Sequence, residues 1–206
     1  AAYPALRLAH LHLNTLGFIG LTALGTLQVL MPTVLGVQDP GAVVRLHGHL
    51  RWALAAVGLT ALAAGVPTLA VAGGGLYGGL LGLTVVTWWR TWGARLLRDG
   101  AAASLLAATL GLLGLVGHGL AHGLGYASGG RAVAGFFALF LAPLVTGALS
   151  QLLPVWRFPG PQGAARTALR TRLAAGGGAR AVLFLAGGAL LLGGEAAGAA
   201  FVAVGL

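Results

Sequence analysis

The chain has 206 residues, of which 58% are apolar and only 7% charged, against about 25% charged in an average soluble domain. Its mean hydropathy is +0.92. So few charges cannot wet the surface of a soluble globule of this length; in a bilayer the same length supplies about six or seven helices of about 20 residues. The formal net charge of +9 comes from arginine alone, because the sequence has no lysine. In a soluble chain that excess would suggest nucleic acid. Here the arginines stand between apolar runs and report topology instead, so no nucleic-acid partner is expected. With no cysteine, disulfides, thiolate metal sites and a covalently attached c-type haem are excluded.

Six apolar stretches are long enough to span, at about 5–30, 48–70, 75–97, 101–125, 131–155 and 179–204. Continuous apolar runs read as helices, where alternating ones would read as barrel strands. The breaks are Pro32 with Asp39, Pro40 and Gly41; Gly65 with Pro67 and then Gly73, Gly74 and Gly75; Asp99 and Gly100; Ser128, Gly129 and Gly130; and the polar stretch from Arg157 to Arg180. The expected fold is an all-α polytopic membrane bundle of six transmembrane helices, one domain over 1–206. No cleavable leader is visible, and the chain opens almost directly into its first apolar stretch, so a few native N-terminal residues are expected to be missing.

Arginine placement orients the bundle. Arg45 and Arg51, then Arg90, Arg95 and Arg98, then Arg157, Arg166, Arg170, Arg172 and Arg180 fall on one side, and only Arg7 and Arg131 on the other. That bias predicts both termini outside, in a bacterial inner membrane. Trp88, Trp89, Trp92 and Trp156 fit an inner aromatic belt, and the stretch around Arg166, Arg170 and Arg172 a short basic helix on anionic headgroups. Gln28, Ser150 and Gln151 are expected to hydrogen-bond between helices. A weak internal echo joins Gly25–Pro32 (GTLQVLMP) to Gly147–Pro154 (GALSQLLP).

The six histidines form three pairs, His10/His12, His47/His49 and His118/His122. The first and third share the outer level in this topology; His47 and His49 lie at the inner mouth of the second helix and read as interfacial. His118 and His122 share a helix face, with Gly111 and Gly114 clearing room for a flat group. His10 and His12 stand about 200° apart around their helix, so each would serve a different group. Asn14, Gly17, Gly25 and Gln28 line the His10 side. An imidazole in hydrocarbon needs a partner, and a haem iron is a good one. Arg7 and Arg131, the two outer arginines, suit haem propionates. Glu195, in the last stretch, is either an intramembrane carboxylate with a function or, with Gly193 and Gly194 ending the span, an outer-surface residue.

The segment from Ala9 to Gly36, AHLHLNTLGFIGLTALGTLQVLMPTVLG, resembles the tenth helix of subunit I of haem-copper oxidases. That helix carries His-x-His near its outer end and then a Gly, a Pro and a Gly; here Gly25, Pro32 and Gly36 follow His10 at spacings of 15, 22 and 26. The segment also looks like helices of NnrS-type membrane proteins linked to nitric oxide stress and of membrane domains fused to copper nitrite reductases. The resemblance implies that His10 binds a high-spin haem and His12 a low-spin haem. It covers residues 9–36 only. No adjacent His-His pair is present for the oxidase copper centre. His122 and Tyr126 have the spacing of the oxidase copper ligand and its tyrosine, but on a helix running the other way.

These readings give an integral membrane protein that binds non-covalent haem b, one or two, for electron transfer or for binding nitric oxide or oxygen. His10, His12, His118 and His122 are its candidate iron or metal ligands. The bilayer is a partner, with a redox protein or a second copy. The alternatives are a haem-free transporter, a structural subunit of a larger complex, and copper or zinc binding at the outer histidines.

Overall fold

The computed structural model describes residues 2–63 and 66–206, and all regular structure among them is helical. Gly65, expected within a break, lies outside the described residues. α1 covers residues 2–35, α2 Ala42–Leu62, α3 Pro67–Trp92, α4 Gly100–Gly123 and α5 Ala132–Arg157; α6 is Ala164–Ala174, α7 Gly177–Gly193 and α8 Ala197–Gly205. Five stretches are long and apolar enough to cross a membrane: Ala5–Leu35, Thr68–Trp92, Gly100–Gly123, Ala132–Arg157 and Ala164–Gly193. α2 forms, but over Ala42–Leu62 instead of the expected 48–70, and it is not among them: Arg45, His47, His49 and Arg51 crowd its first half.

Two boundaries differ from expectation for reasons visible in the packing. The run Gly73, Gly74 and Gly75 does not break the chain but lies inside α3. A Cβ at Gly73 would come within 2.6 Å of the Ala56 carbonyl oxygen, and one at Gly74 within 2.9 Å of Leu120. These glycines allow close helix approach, the usual role of small residues between membrane helices. The last apolar stretch is also not one helix. Gly194 takes φ +102°, ends α7, and turns α8 back along it. Gly198 then meets the Gly187 carbonyl, and Gly205 lies against Phe184. Glu195 is exposed at the tip of this hairpin.

By their contacts the residues form two compact units. The first draws on 1–32, 38–84 and 116–129, the second on 33–37, 85–115 and 130–206. In the first, α1 and α2 run antiparallel, with Gly17 against Val57 and Gly25 against Leu46. The covered part of α1 is its second half, where Ala23, Leu27, Gln28, Leu30 and Met31 are buried. In the second unit the backbone of Leu139, in α5, is approached by Gly111 of α4 and Gly188 of α7. Trp88 and Trp92 belong to this core rather than to an aromatic belt: they are buried, with ring centroids 6.5 Å apart. Trp89 and Trp156 are exposed.

Both α1 and α5 contain π-helical turns, at Leu13–Leu21 and Phe136–Leu141. The displacement that lays Gly25 on Gly147 and Pro32 on Pro154 also lays these two stretches over each other. The helices that follow, from Ala42 and from Ala164, start at the same displacement. The echo in the sequence thus extends to an uncommon backbone feature, one found often at functional sites.

Candidate functional site

The pairs His10/His12 and His118/His122 both belong to the first unit. His10 and His12 occupy the last turn of α1 before its π-helical stretch. His10 is exposed and His12 half-buried. Asn14 donates its side-chain amide to the His10 carbonyl at 2.8 Å, and the same nitrogen lies 3.2 Å from His10 Nε2. The His10 side of α1 is therefore open at Asn14 and covered only further along, at Gly17 and Gln28. On the other side, His12 Nδ1 is buried and makes no well-formed hydrogen bond among the described residues; the ring's one polar neighbour is the Leu8 backbone, one turn earlier. A buried polar atom of this kind is uncommon and asks for an explanation.

His118 and His122 are tied to the loop that follows α4. His118 Nε2 lies 3.1 Å from the Ser128 carbonyl and His122 Nδ1 2.8 Å from that of Ala127. A carbonyl oxygen can only accept, so each of these nitrogens carries the proton. His118 is left with Nδ1 as a lone-pair donor and His122 with Nε2. The second arrangement, Nδ1–H to a backbone carbonyl with Nε2 free, is the one that commonly orients a metal-binding imidazole. Gly129 lies beside that nitrogen, where an added Cβ would be 3.0 Å away.

α3 relates the two pairs. The Tyr77 hydroxyl donates to the Leu16 carbonyl at 3.1 Å, one turn below His12. Toward the start of α3, Gly74 meets Leu120 and Val71 meets Gly123. His12 is therefore level with the final turns of α4, which carry His118 and His122. Their hydrogen bonds do not connect the two pairs, and no three His, Asp or Glu side chains among the described residues gather as a metal cluster.

Arg7 is exposed on α1, one turn before His10. Arg131 packs its guanidinium on Gly194 at the α7–α8 turn, within the second unit. Tyr126 is exposed. At the other end of the first unit, His47 Nδ1 meets the Val43 carbonyl, while His49 Nδ1 lies 3.4 Å from the buried Thr84 hydroxyl and links α2 to α3. Of the three glutamine and serine positions expected to bond between helices, two do. Gln151 accepts from Arg170 at 2.8 Å, and Ser150 donates to the Leu173 carbonyl at 3.1 Å. Gln28 Oε1 is buried with no partner among the described residues.

Sequence reasoning missed one polar cluster. Arg170 was expected on the headgroups; instead it turns inward and donates to Gln151, to the Val34 carbonyl at 2.7 Å and to Asp99 at 2.8 Å. Asp99, expected only to break the chain, also caps α4, accepting from the Ala101 and Ala102 amides at 3.0 and 3.1 Å. The available signal was an acid immediately before a helix, in a chain with only three acidic residues. No protein-family model, curated protein or solved structure matches this chain.

Proposed function

We propose that this is an integral membrane protein that binds haem b through His12 and a histidine of α4, for one-electron transfer or for binding a small gas such as nitric oxide or oxygen. The observation that carries the proposal is His12: a half-buried imidazole in an apolar helix, with a buried ring nitrogen that has only the Leu8 backbone near it and no well-formed hydrogen bond. The His-x-His resemblance of residues 9–36 supports the same residue. His122 fits the second position better than His118, because its Nδ1–H is held by a carbonyl and its Nε2 is left free. Bound haem iron would supply the redox change or, with one position open, the gas site. The chain's own part is to fix the imidazoles through the Ala127 and Ser128 carbonyls, to keep water away with apolar helices, and to offer Arg7 to a propionate. His10, beside Asn14, is the candidate ligand for a second haem.

The test is a spectrum. Protein made with haem available should show a Soret band and a low-spin reduced spectrum. His12→Ala should abolish the low-spin signal, His122→Ala should weaken it more than His118→Ala, and His47→Ala should leave it intact. Absence of any Soret band sinks the proposal; a signal lost in His47→Ala and kept in His12→Ala moves the site to the other end of the bundle.

The arginine bias supports six crossings, by α1 to α5 and α7, with the N-terminus and the Glu195 turn outside a bacterial inner membrane; the C-terminus, expected outside as well, is instead carried back along α7 to the level of Phe184 by α8. A single cysteine at Glu195 should react with a membrane-impermeant reagent in intact cells. One at Arg172 should react only after lysis. The reverse pattern inverts the topology.

A further inference from the structure

The second unit contains a cavity of about 300 Å³, the lower end of the range for small-ligand sites. Its base is the Asp99–Arg170–Gln151 cluster; Gln162, just before α6, Arg166 and Thr167 on α6 and Thr33 near the end of α1 add further polar side chains, and Val34 and Pro154 give it apolar wall. The charges do not cancel. Arg170 is matched by Asp99, so the cavity keeps the charge of Arg166. That guanidinium makes one hydrogen bond, from Nη1 to the Gly160 carbonyl at 3.1 Å, and the rest of its fork has no acceptor among the described residues. Gln162 adds an amide. A guanidinium fork is the group best suited to two oxygens of a phosphate, while Val34 and Pro154 suit carbon attached to it.

We infer that this cavity binds a phosphate-bearing anion through Arg166, with Gln162 as a second donor. The phosphate can come from the headgroup of an anionic phospholipid or from a free phosphate compound. The site lies within the second unit and is independent of the haem reading.

Purified protein in detergent would be titrated with phosphatidylglycerol, with phosphatidylcholine and with inorganic phosphate, and thermal unfolding and native mass spectrometry would report binding. The expected result is saturable binding of phosphatidylglycerol with about tenfold preference over phosphatidylcholine, weakened about tenfold in Arg166→Gln, as for loss of a charged hydrogen bond. Arg172→Gln, on the same helix but not lining the cavity, should bind like the parent. Gln162→Trp, at an exposed position, should obstruct the cavity without disturbing the fold, which keeps the test decisive if Arg166→Gln does not accumulate. Saturable binding of inorganic phosphate with the same dependence on Arg166 identifies a free phosphate compound as the ligand. Equal losses in Arg166→Gln and Arg172→Gln reduce the effect to diffuse surface charge and overturn the inference, as does failure of both phosphatidylglycerol and phosphate to bind.

Discussion

Replacing Gly111 by alanine is expected to destabilise the second unit by about 3 kcal/mol or more, because overpacking a tight contact forces backbone to move. A Cβ at this position would overlap the Leu139 carbonyl oxygen and come within 2.6 Å of its carbonyl carbon and 3.0 Å of its Cβ. Two of these three atoms are backbone, so no side-chain rotation relieves the overlap. α4 and α5 must separate, and the Leu139 backbone is also held on the α7 side, where Gly188 leaves a Cβ only 3.1 Å from the Leu139 amide nitrogen. Gly114 provides the control. It lies one turn further along the same helix and has nothing within 4 Å of an added Cβ. Gly114→Ala should be neutral or gain up to about 1 kcal/mol from helix propensity. Denaturation in mixed detergent micelles would compare the two. Equal stability of both variants would mean that α4 and α5 do not approach each other as closely as described.

The sequence assigned Gly111 a different task, clearing space for a flat group below His118, and the reason it could not do better is instructive. Glycine spacing marks the face of a helix but not what meets that face. At Gly111 a neighbouring backbone does, and at Gly114 nothing does. The same ambiguity misread Gly73 and Gly74 as a break. Hydropathy and helix-breaking residues made the all-helical architecture and most helix positions legible, because those signals are local. They could not separate α7 from α8, since Gly193 and Gly194 in an apolar run look alike whether a helix continues or reverses. The positive φ of Gly194 is a property of the packed hairpin. At the candidate site the residue types were legible and their partners were not. The carbonyls that orient His118 and His122 belong to a loop whose path no periodicity reports.

Arg170 shows the same limit in a polar side chain, and it gives the prediction of largest effect after Gly111. On sequence it is one of several arginines in a basic stretch. In the structure it joins three separate segments: the Val34 carbonyl at the end of α1, Asp99 at the start of α4, and Gln151 in α5. Arg170→Ala removes all three bonds and leaves Asp99 without its cation. Loss of a fully buried partner costs about 3–5 kcal/mol. Here the side chains of Arg170 and Asp99 keep 28% and 23% of their exposure, so water screens part of the loss and about 2 kcal/mol is expected. Asp99→Asn isolates the ion pair, because asparagine caps a helix about as well as aspartate and so preserves the bonds to Ala101 and Ala102. Asp99→Ala should cost about 1 kcal/mol more than Asp99→Asn, the worth of a cap. In a double-mutant cycle, Arg170→Gln and Asp99→Asn should couple by about 1 kcal/mol, since each alone strands the other's charge. Coupling indistinguishable from zero, with each single variant as stable as the parent, would reduce this cluster to a screened surface pair.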